Sequence, residues 1–387
     1  MHVIQSVSGV FWQFDLAREL ESRGYLKRIY SSFPWWRLRR EGVSKELVRT
    51  FPWVHGPWTV INRYNRYLHI PRHISGQIAH ANIRLFDSWV ASQIEECDAL
   101  VGLSGSALNT ARVVQSRGGK HVCDRGSSHI RYQDAILNEE YAKWGFPFAT
   151  IDPRVIAREE MEYQQADAIF VPSGFAHRSF VEMGVAAEKV KMIPYGVRLE
   201  RFQRTGEPPK DLFNVMFAGT VSLRKGIPYL LEAFRMFRHP RKRLRLAGPV
   251  EAETRSFLKN QKLDGVEILG RMSQPKLAEY MSTSHVLALP SIEDGFGLVM
   301  AQAMACGAVV ISSENTGGPD LYRNGSEGFI VPIRSAAAIA QNLQELADDQ
   351  ALHQRMSEAA MERVKQLGGW HDYGEKCANH LKQLTQA

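Results

Sequence analysis

The chain has 387 residues, 44% of them hydrophobic, and a formal net charge of +7, which describes a globular protein large enough for two domains and excludes a disordered or fibrous one. No uncharged apolar run is long enough to cross a bilayer, and no basic segment followed by an apolar one opens the chain. Cys97, Cys123, Cys306 and Cys377 are scattered without metal-type spacing, as expected of reduced thiols in a cytoplasmic protein.

Residues 2–25, HVIQSVSGVFWQFDLARELESRGY, read as a strand, a turn at Gly9 and a helix with Leu16 and Leu20 one turn apart. Asp15 suits the start of that helix and Gly24 its end. The turn lacks the GxGxxG pattern, which argues against a nicotinamide enzyme. Residues 1–90 carry 13 Lys/Arg against 6 Asp/Glu, an excess equal to that of the whole chain. The same segment holds Trp12, Trp35, Trp36, Trp53, Trp58 and Trp89, six of the eight tryptophans. Indoles beside cations suit a membrane interface with anionic lipid, or an anionic or lipid-linked glycan. The plainer alternative is core tryptophans with a solvated basic face. Nucleic acid is a poorer partner, because no helix-turn-helix, zinc or single-strand-binding signature accompanies the charge.

Residues 98–111 and 119–133 supply further strand-loop units, with Asp124, Arg125 and His129 as their polar candidates. A lone histidine is more often structural than catalytic. A strand-helix unit then leads to Pro194 and Gly196, which make a hinge. Residues 214–234, NVMFAGTVSLRKGIPYLLEAF, repeat strand, Gly219 loop and helix, with Pro228 in the first helical turn. Leu230, Leu231, Phe234 and Phe237 form the core-facing stripe. This puts Arg224, Lys225 and Gly226 at a helix start on the ligand edge of a sheet, where two cations can neutralise a diphosphate. A solvated pair of charges is the alternative. Residues 244–250 and 266–273 are strands ending at Gly248 and at Gly270, Arg271 and Met272.

HVLALP (285–290) is a buried parallel strand by length and content. The loop SIEDGFG follows, carrying Glu293 and Asp294, and then LVMAQAMAC with Leu298, Ala301, Met304 and Ala305 on one helical face. A second strand ends at Thr316, Gly317 and Gly318. In open parallel sheets ligands bind outside the carboxyl ends of the strands. The amides of Gly295, Phe296 and Gly297 open the helix as an anion site between Asp294 and Gln302. A polyol, a diphosphate and a ribose in one ligand, a nucleotide sugar, would suit that arrangement.

The frame Pro290, Ser291, Gly295, Phe296, Gly297, Leu298, Ala303, Met304, Ala305, Cys306 and Gly307 resembles the signature of retaining GT-B glycosyltransferases of glycosyltransferase family 4. The resemblance covers nearly the full length and is strongest over 214–332. It implies an α/β, GT-B fold of two doubly wound Rossmann-like domains facing a central cleft. An acceptor-binding domain would span 1–195, with a helix at 370–387 packing back on it, and a nucleotide-sugar-binding domain 196–369. The reaction implied is retaining transfer of a sugar from a UDP- or GDP-sugar to a hydroxyl of a glycan or lipid-linked glycan. The setting is cell-surface polysaccharide or glycolipid biosynthesis, in the cytoplasm or peripheral at the inner membrane face, with no cofactor or metal. By the same resemblance Asp294, where the family has glutamate, takes the donor-sugar hydroxyls, and Gln302, at the second glutamate, the ribose. Arg224 and Lys225 with Gly219 and Gly226 take the diphosphate, although Thr220 stands where the family has arginine. Gly9 approaches the donor phosphate, 270–272 lie against the base, 295–298 cradle the donor, and His129 stands near the reacting sugar. Arg198 occupies a place where an acid is usual. A nucleotide-sugar 2-epimerase and a non-catalytic nucleotide-sugar-binding protein are the competing readings.

Overall fold

The computed structural model describes residues 1–53, 72–146 and 151–386. Seven strands form the first sheet: β1 (Val3–Val7), β2 (Leu26–Ser31), β3 (Val48–Thr50), β4 (Ala99–Leu103), β5 (Lys120–Asp124), β6 (Ala168–Val171) and β7 (Val190–Met192). Six form the second: β8 (Phe213–Ala218), β9 (Lys242–Ala247), β10 (Val266–Gly270), β11 (Val286–Leu289), β12 (Val309–Ser313) and β13 (Gly328–Val331). Every pairing among them is parallel. The central strands are mostly apolar because helices cover both faces of such a sheet, and β1, β8 and β12 are buried at every position, their few polar residues Gln5, Ser6, Asn214, Ser312 and Ser313 included.

The strand orders are β3-β2-β1-β4-β5-β6-β7 and β10-β9-β8-β11-β12-β13. In each sheet the winding reverses once, between β1 and β4 and between β8 and β11. The loops leaving those strands diverge and open a crevice, which is where an open α/β sheet binds ligand. This is the two-domain, doubly wound GT-B architecture.

Two elements tie the halves together. The last helix, Trp370–Gln386, lies against the first, Gln13–Ser22, burying Tyr373, Cys377 and Leu381. Arg23 Nη2 donates to the His371 carbonyl at 3.0 Å. Facing the second sheet, the helix Ile130–Lys143 offers Glu139 and Glu140 to Arg334, each at 2.7 Å. Trp144 just beyond it meets Tyr229 and Phe257 edge-on, with centroids 5.6 and 5.3 Å away. The helix expected to begin at Leu298 is observed as Val299–Ala305, only seven residues.

Candidate active site

Two loops of the second sheet meet at its switch point. After β8 the chain runs to Gly226, which caps the helix Ile227–Met236 with φ of 71°. A Cβ there would fall 1.9 Å from the Pro290 carbonyl oxygen of the loop after β11, so only glycine permits both the left-handed turn and the approach. Ile292 N then donates to the Arg224 carbonyl at 2.8 Å. The backbones thus align the two cations of one loop with the two acids of the other. Arg224 Nη1 sits 2.6 Å from Glu293 Oε2, and Lys225 Nζ pairs with Asp294 Oδ2.

Burial sets the character of each cation. Lys225 is 8% exposed, and its pKa is lowered by desolvation, with Asp294 pulling the other way. Burial also opposes the charge of Arg224, yet Glu293 and then Asp294 outweigh it and raise its pKa. Lysine is the more easily perturbed cation, and arginine the permanent one. A half-desolvated pair of this kind is suited to an anion that brings its own negative charge into the crevice.

Glu293 reaches across the crevice to the first sheet. It is fully buried. Oε1 accepts from Ser127 Oγ at 2.5 Å, Ser128 Oγ at 2.8 Å and Ser128 N at 3.2 Å. Oε2 accepts from Gln133 Nε2 at 3.0 Å besides Arg224. Burial would push the carboxyl up, but Arg224 and then the hydroxyl and amide donors bring it down to about 2. Beside it the Gly295 carbonyl accepts from Ser173 Oγ at 2.6 Å, and Asp320 Oδ2 accepts from Gly174 N at 2.8 Å. The sequence marks Glu293 as a loop acid and gives it no role. Its partners in the first domain lie 160 or more positions away, so no local spacing announces it.

His129 is buried, next in the chain to Ser128, which bonds Glu293. Its Nδ1 accepts from Arg131 N at 3.2 Å and caps the helix Ile130–Lys143. The ring packs between Tyr163 and Phe180, each centroid 5.0 Å away, and desolvation lowers its pKa to about 4. The imidazole is thus neutral at pH 7 and fixed in orientation by its cap and its two aromatic neighbours. The other expected residues lie along the two switch-point edges. Gly9 follows β1, its carbonyl accepting from Ser31 Oγ at 3.3 Å. Gly219 follows β8, its N–H bound to the Ala247 carbonyl at 2.9 Å. Gly270 ends β10, the edge strand, its carbonyl accepting from Gly248 N at 2.8 Å, with Arg271 exposed and Met272 half-buried beyond it. Phe296 is buried against Tyr195, centroids 5.4 Å apart. Leu298 and Gln302 are half-buried on the short helix and the turn before it.

Asp124, at the carboxyl end of β5, holds the first loop in place. It accepts from Trp12 Nε1 at 2.8 Å and Gln13 Nε2 at 2.9 Å. Desolvation raises its pKa to about 7, against the pull of those two donors. The folded state therefore binds more protons than the unfolded chain between about 4 and about 7, and stability falls as pH rises through that window. Asp124→Asn is expected to flatten this part of the melting-temperature profile between about pH 4 and 7. An unchanged slope in the variant would assign it to another group.

The tryptophans divide. Trp12 is tied to Asp124, Trp89 stacks on Phe51 at 4.9 Å, and Trp35 packs on the core. Trp36 and Trp53 are 71% and 77% exposed, while Trp58 lies outside the described residues. No described helix is long and apolar enough to cross a membrane.

Residues 199–363 match the model of the family glycosyl transferases group 1. A D-inositol 3-phosphate glycosyltransferase of Streptomyces bingchenggensis is 31% identical over 209 residues, 48% of this chain and 46% of its own. The amylovoran biosynthesis glycosyltransferase AmsK of Erwinia amylovora is 23% identical over 296 residues, 73% of this chain and 69% of its own. The chain spans about half the length of most curated relatives it matches. In fold it is similar to a sucrose-phosphate synthase from Thermosynechococcus elongatus, at 21% identity and a TM-score of 0.73 over 99% of both chains. The Anabaena protein HepE, solved in complex with UDP-glucose, gives 17% identity and 0.70 over 99% of this chain and 100% of its own. The stretch that matches this family model, residues 199–363, lies on the second of the two Rossmann-like domains.

Proposed function

We propose that the protein is a retaining glycosyltransferase that moves a sugar from a nucleoside-diphosphate donor to an acceptor hydroxyl. The observation that carries this reading is the pair of ion pairs at the second switch point, Arg224 with Glu293 and Lys225 with Asp294. Breaking the glycosyl–phosphate bond places negative charge on the departing diphosphate, and two cations held at the edge of a crevice stabilise it where it forms. The helix after Gly297 is too short to lend a strong dipole, so the side-chain cations carry most of this work. Asp294, already at the mouth of the crevice, would take the donor-sugar hydroxyls, and Gln302 the ribose. The leaving phosphate itself would receive the acceptor's proton. In this reading the reaction needs no metal or cofactor.

The acceptor would be a glycan or a lipid-linked glycan. The relatives' roles in polysaccharide and inositol phosphate chemistry support a place in cell-surface polymer or glycolipid synthesis. Exposed Trp36 and Trp53 within the basic amino-terminal segment favour peripheral contact with an anionic membrane. Flotation with neutral and anionic vesicles tests that part, and equal recovery with both, or with neither, removes it.

The reaction itself is tested by incubating the protein with UDP- and GDP-sugars, with and without acceptor. Transfer or slow donor hydrolysis is the expected result. Isomerised donor in the absence of acceptor would indicate a 2-epimerase instead, and no turnover with tight nucleotide binding a non-catalytic protein. Asp294→Asn should weaken binding of the donor sugar more than that of the free nucleotide, read by calorimetry. Equal loss of both would detach Asp294 from the sugar.

A further inference from the structure

A second cavity opens at the switch point of the first sheet, distinct from the cation pair of the second. It has a volume of about 400 Å³ and lies between the loop after β1, the segment after β2, the helix Arg72–Gln93 and the end of β4. That volume falls within the ordinary range of small-molecule sites. Its walls are apolar where Val10, Phe33, Ile83 and Leu103 contribute, and no carboxylate lines it among the described residues.

Two hydrogen-bond donors on this wall have nothing to donate to. Asn82 is 8% exposed, and its Nδ2 is buried without a partner. Arg37 Nε is likewise buried and unpartnered, while its guanidinium lies over the Phe33 ring at 4.3 Å. Buried polar groups in folded proteins are nearly always satisfied, and an unpaired donor beside an uncompensated positive charge is costly. Both groups are donors, one of them charged, and both belong to the same small cavity. A ligand that satisfies them must bring acceptor oxygens and negative charge, and must cover apolar wall as well. Gly9, at the start of the first loop, contributes to the same cavity, so a ligand here borders the crevice into which the donor loops face.

We propose that this cavity is the acceptor subsite, and that Arg37 and Asn82 bind a phosphate ester carried on an apolar body. The name acceptor rests on the glycosyltransferase reading; the binding of the phosphate ester does not. The phosphate sits against Arg37 Nε and Asn82 Nδ2 through charge-assisted hydrogen bonds. The apolar body covers the wall formed by Val10, Phe33, Ile83 and Leu103.

Calorimetry on the full chain with octyl phosphate, glycerol 3-phosphate and octyl glucoside tests it, with UDP titrated in parallel. Octyl phosphate is expected to bind at least tenfold more tightly than either of the others, because only it satisfies both the donors and the wall. Arg37→Gln should cost octyl phosphate tenfold or more. Asn82→Asp keeps the shape of the side chain and reverses its preference for an anion, so it should cost at least as much. UDP affinity should stay within twofold in both variants. Should a variant melt early, the other decides, since Arg37 is only half-buried and Asn82→Asp is isosteric. Equal binding of octyl glucoside would overturn the phosphate claim, and equal binding of glycerol 3-phosphate the apolar one. Octyl phosphate binding unaffected by both substitutions would overturn the site. Octyl phosphate binding as expected, with no binding of UDP or GDP, would support the site and count against the transferase reading alone.

Discussion

Lys225→Ala is expected to slow sugar transfer by roughly 100-fold or more, the loss typical of removing one preorganised charge-stabilising group, while the protein keeps its fold. Lys225 is held by the Gly226 turn against the loop after β11, nine-tenths buried, with Asp294 as its ion-pair partner. In that setting an ammonium group has little water to screen it, so its attraction for a developing diphosphate charge is larger than at a surface. Binding of the ground-state donor uses the same cation, but less fully, because the charge at the leaving oxygen grows only as the bond breaks. The loss should accordingly fall mainly on kcat. Steady-state kinetics with a fixed acceptor, beside a thermal melt, separates the outcomes. Turnover within threefold of the unsubstituted protein would take Lys225 out of the mechanism. A collapsed melting transition would show instead that the lysine holds the loops together, and Lys225→Arg would then serve as the test, since it keeps the charge.

Gly295→Ala is expected to force the two halves apart at this seam and to reduce transfer by a similar roughly 100-fold, through misplacement alone. A Cβ at this position would lie 2.0 Å from the Gly126 carbonyl oxygen and 2.7 Å from Ser127 Cα. Both atoms are backbone, so no rotamer change relieves the clash. The two loops must part, and the contacts that depend on their approach go with them. Glu293 would lose Ser127, Ser128 and Gln133, and Ser173 would lose the Gly295 carbonyl. The donor loops stay together because the Gly226 turn, Arg224 and Lys225 belong to the same sheet. Free nucleotide should therefore bind nearly as before, while the reacting groups of the two halves no longer meet. Small-angle scattering should show a larger radius of gyration, and calorimetry an almost unchanged affinity for the nucleoside diphosphate. A compact particle with near-normal turnover would mean that the loops can rearrange, and that the seam at Gly295 is incidental.

Glu293 accounts for the closeness of this seam. Its carboxylate is buried at the seam and takes five hydrogen bonds, from both halves. A buried carboxylate is tolerable only when its donors are all present. Parting the halves would expose it to water and strip it of Ser127, Ser128 and Gln133 together. Since its pKa in the closed form is about 2, well under the ordinary carboxylate range, the seam keeps this stabilisation above the ordinary value. It loses it only as pH falls from there towards 2.

The strand at the start of the chain and most strands, glycine turns and helix starts from residue 98 onward are readable from the sequence because they rest on local physics, whereas β2, β3 and the helix Arg72–Gln93 are not. Val3–Val7 and Val286–Leu289 are apolar runs of strand length, and Gly226 followed by Pro228 marks a helix entry within three residues. The cation pair at 224–225 and the acids at 293–294 were legible as loop chemistry for the same reason. Tertiary structure alone decided which of these groups meet. Arg224 and Glu293 are 69 positions apart, and Ser127 and Glu293 are 166 apart. Strand order determines such encounters, and each parallel crossover passes through a helix that erases spacing along the chain. The same folding made His129 a helix cap between Tyr163 and Phe180, and left Arg37 and Asn82 with unpaired donors at one cavity. Sequence determines what a residue can donate or accept, and burial among distant neighbours determines whether that capacity is spent inside the protein or left for a ligand.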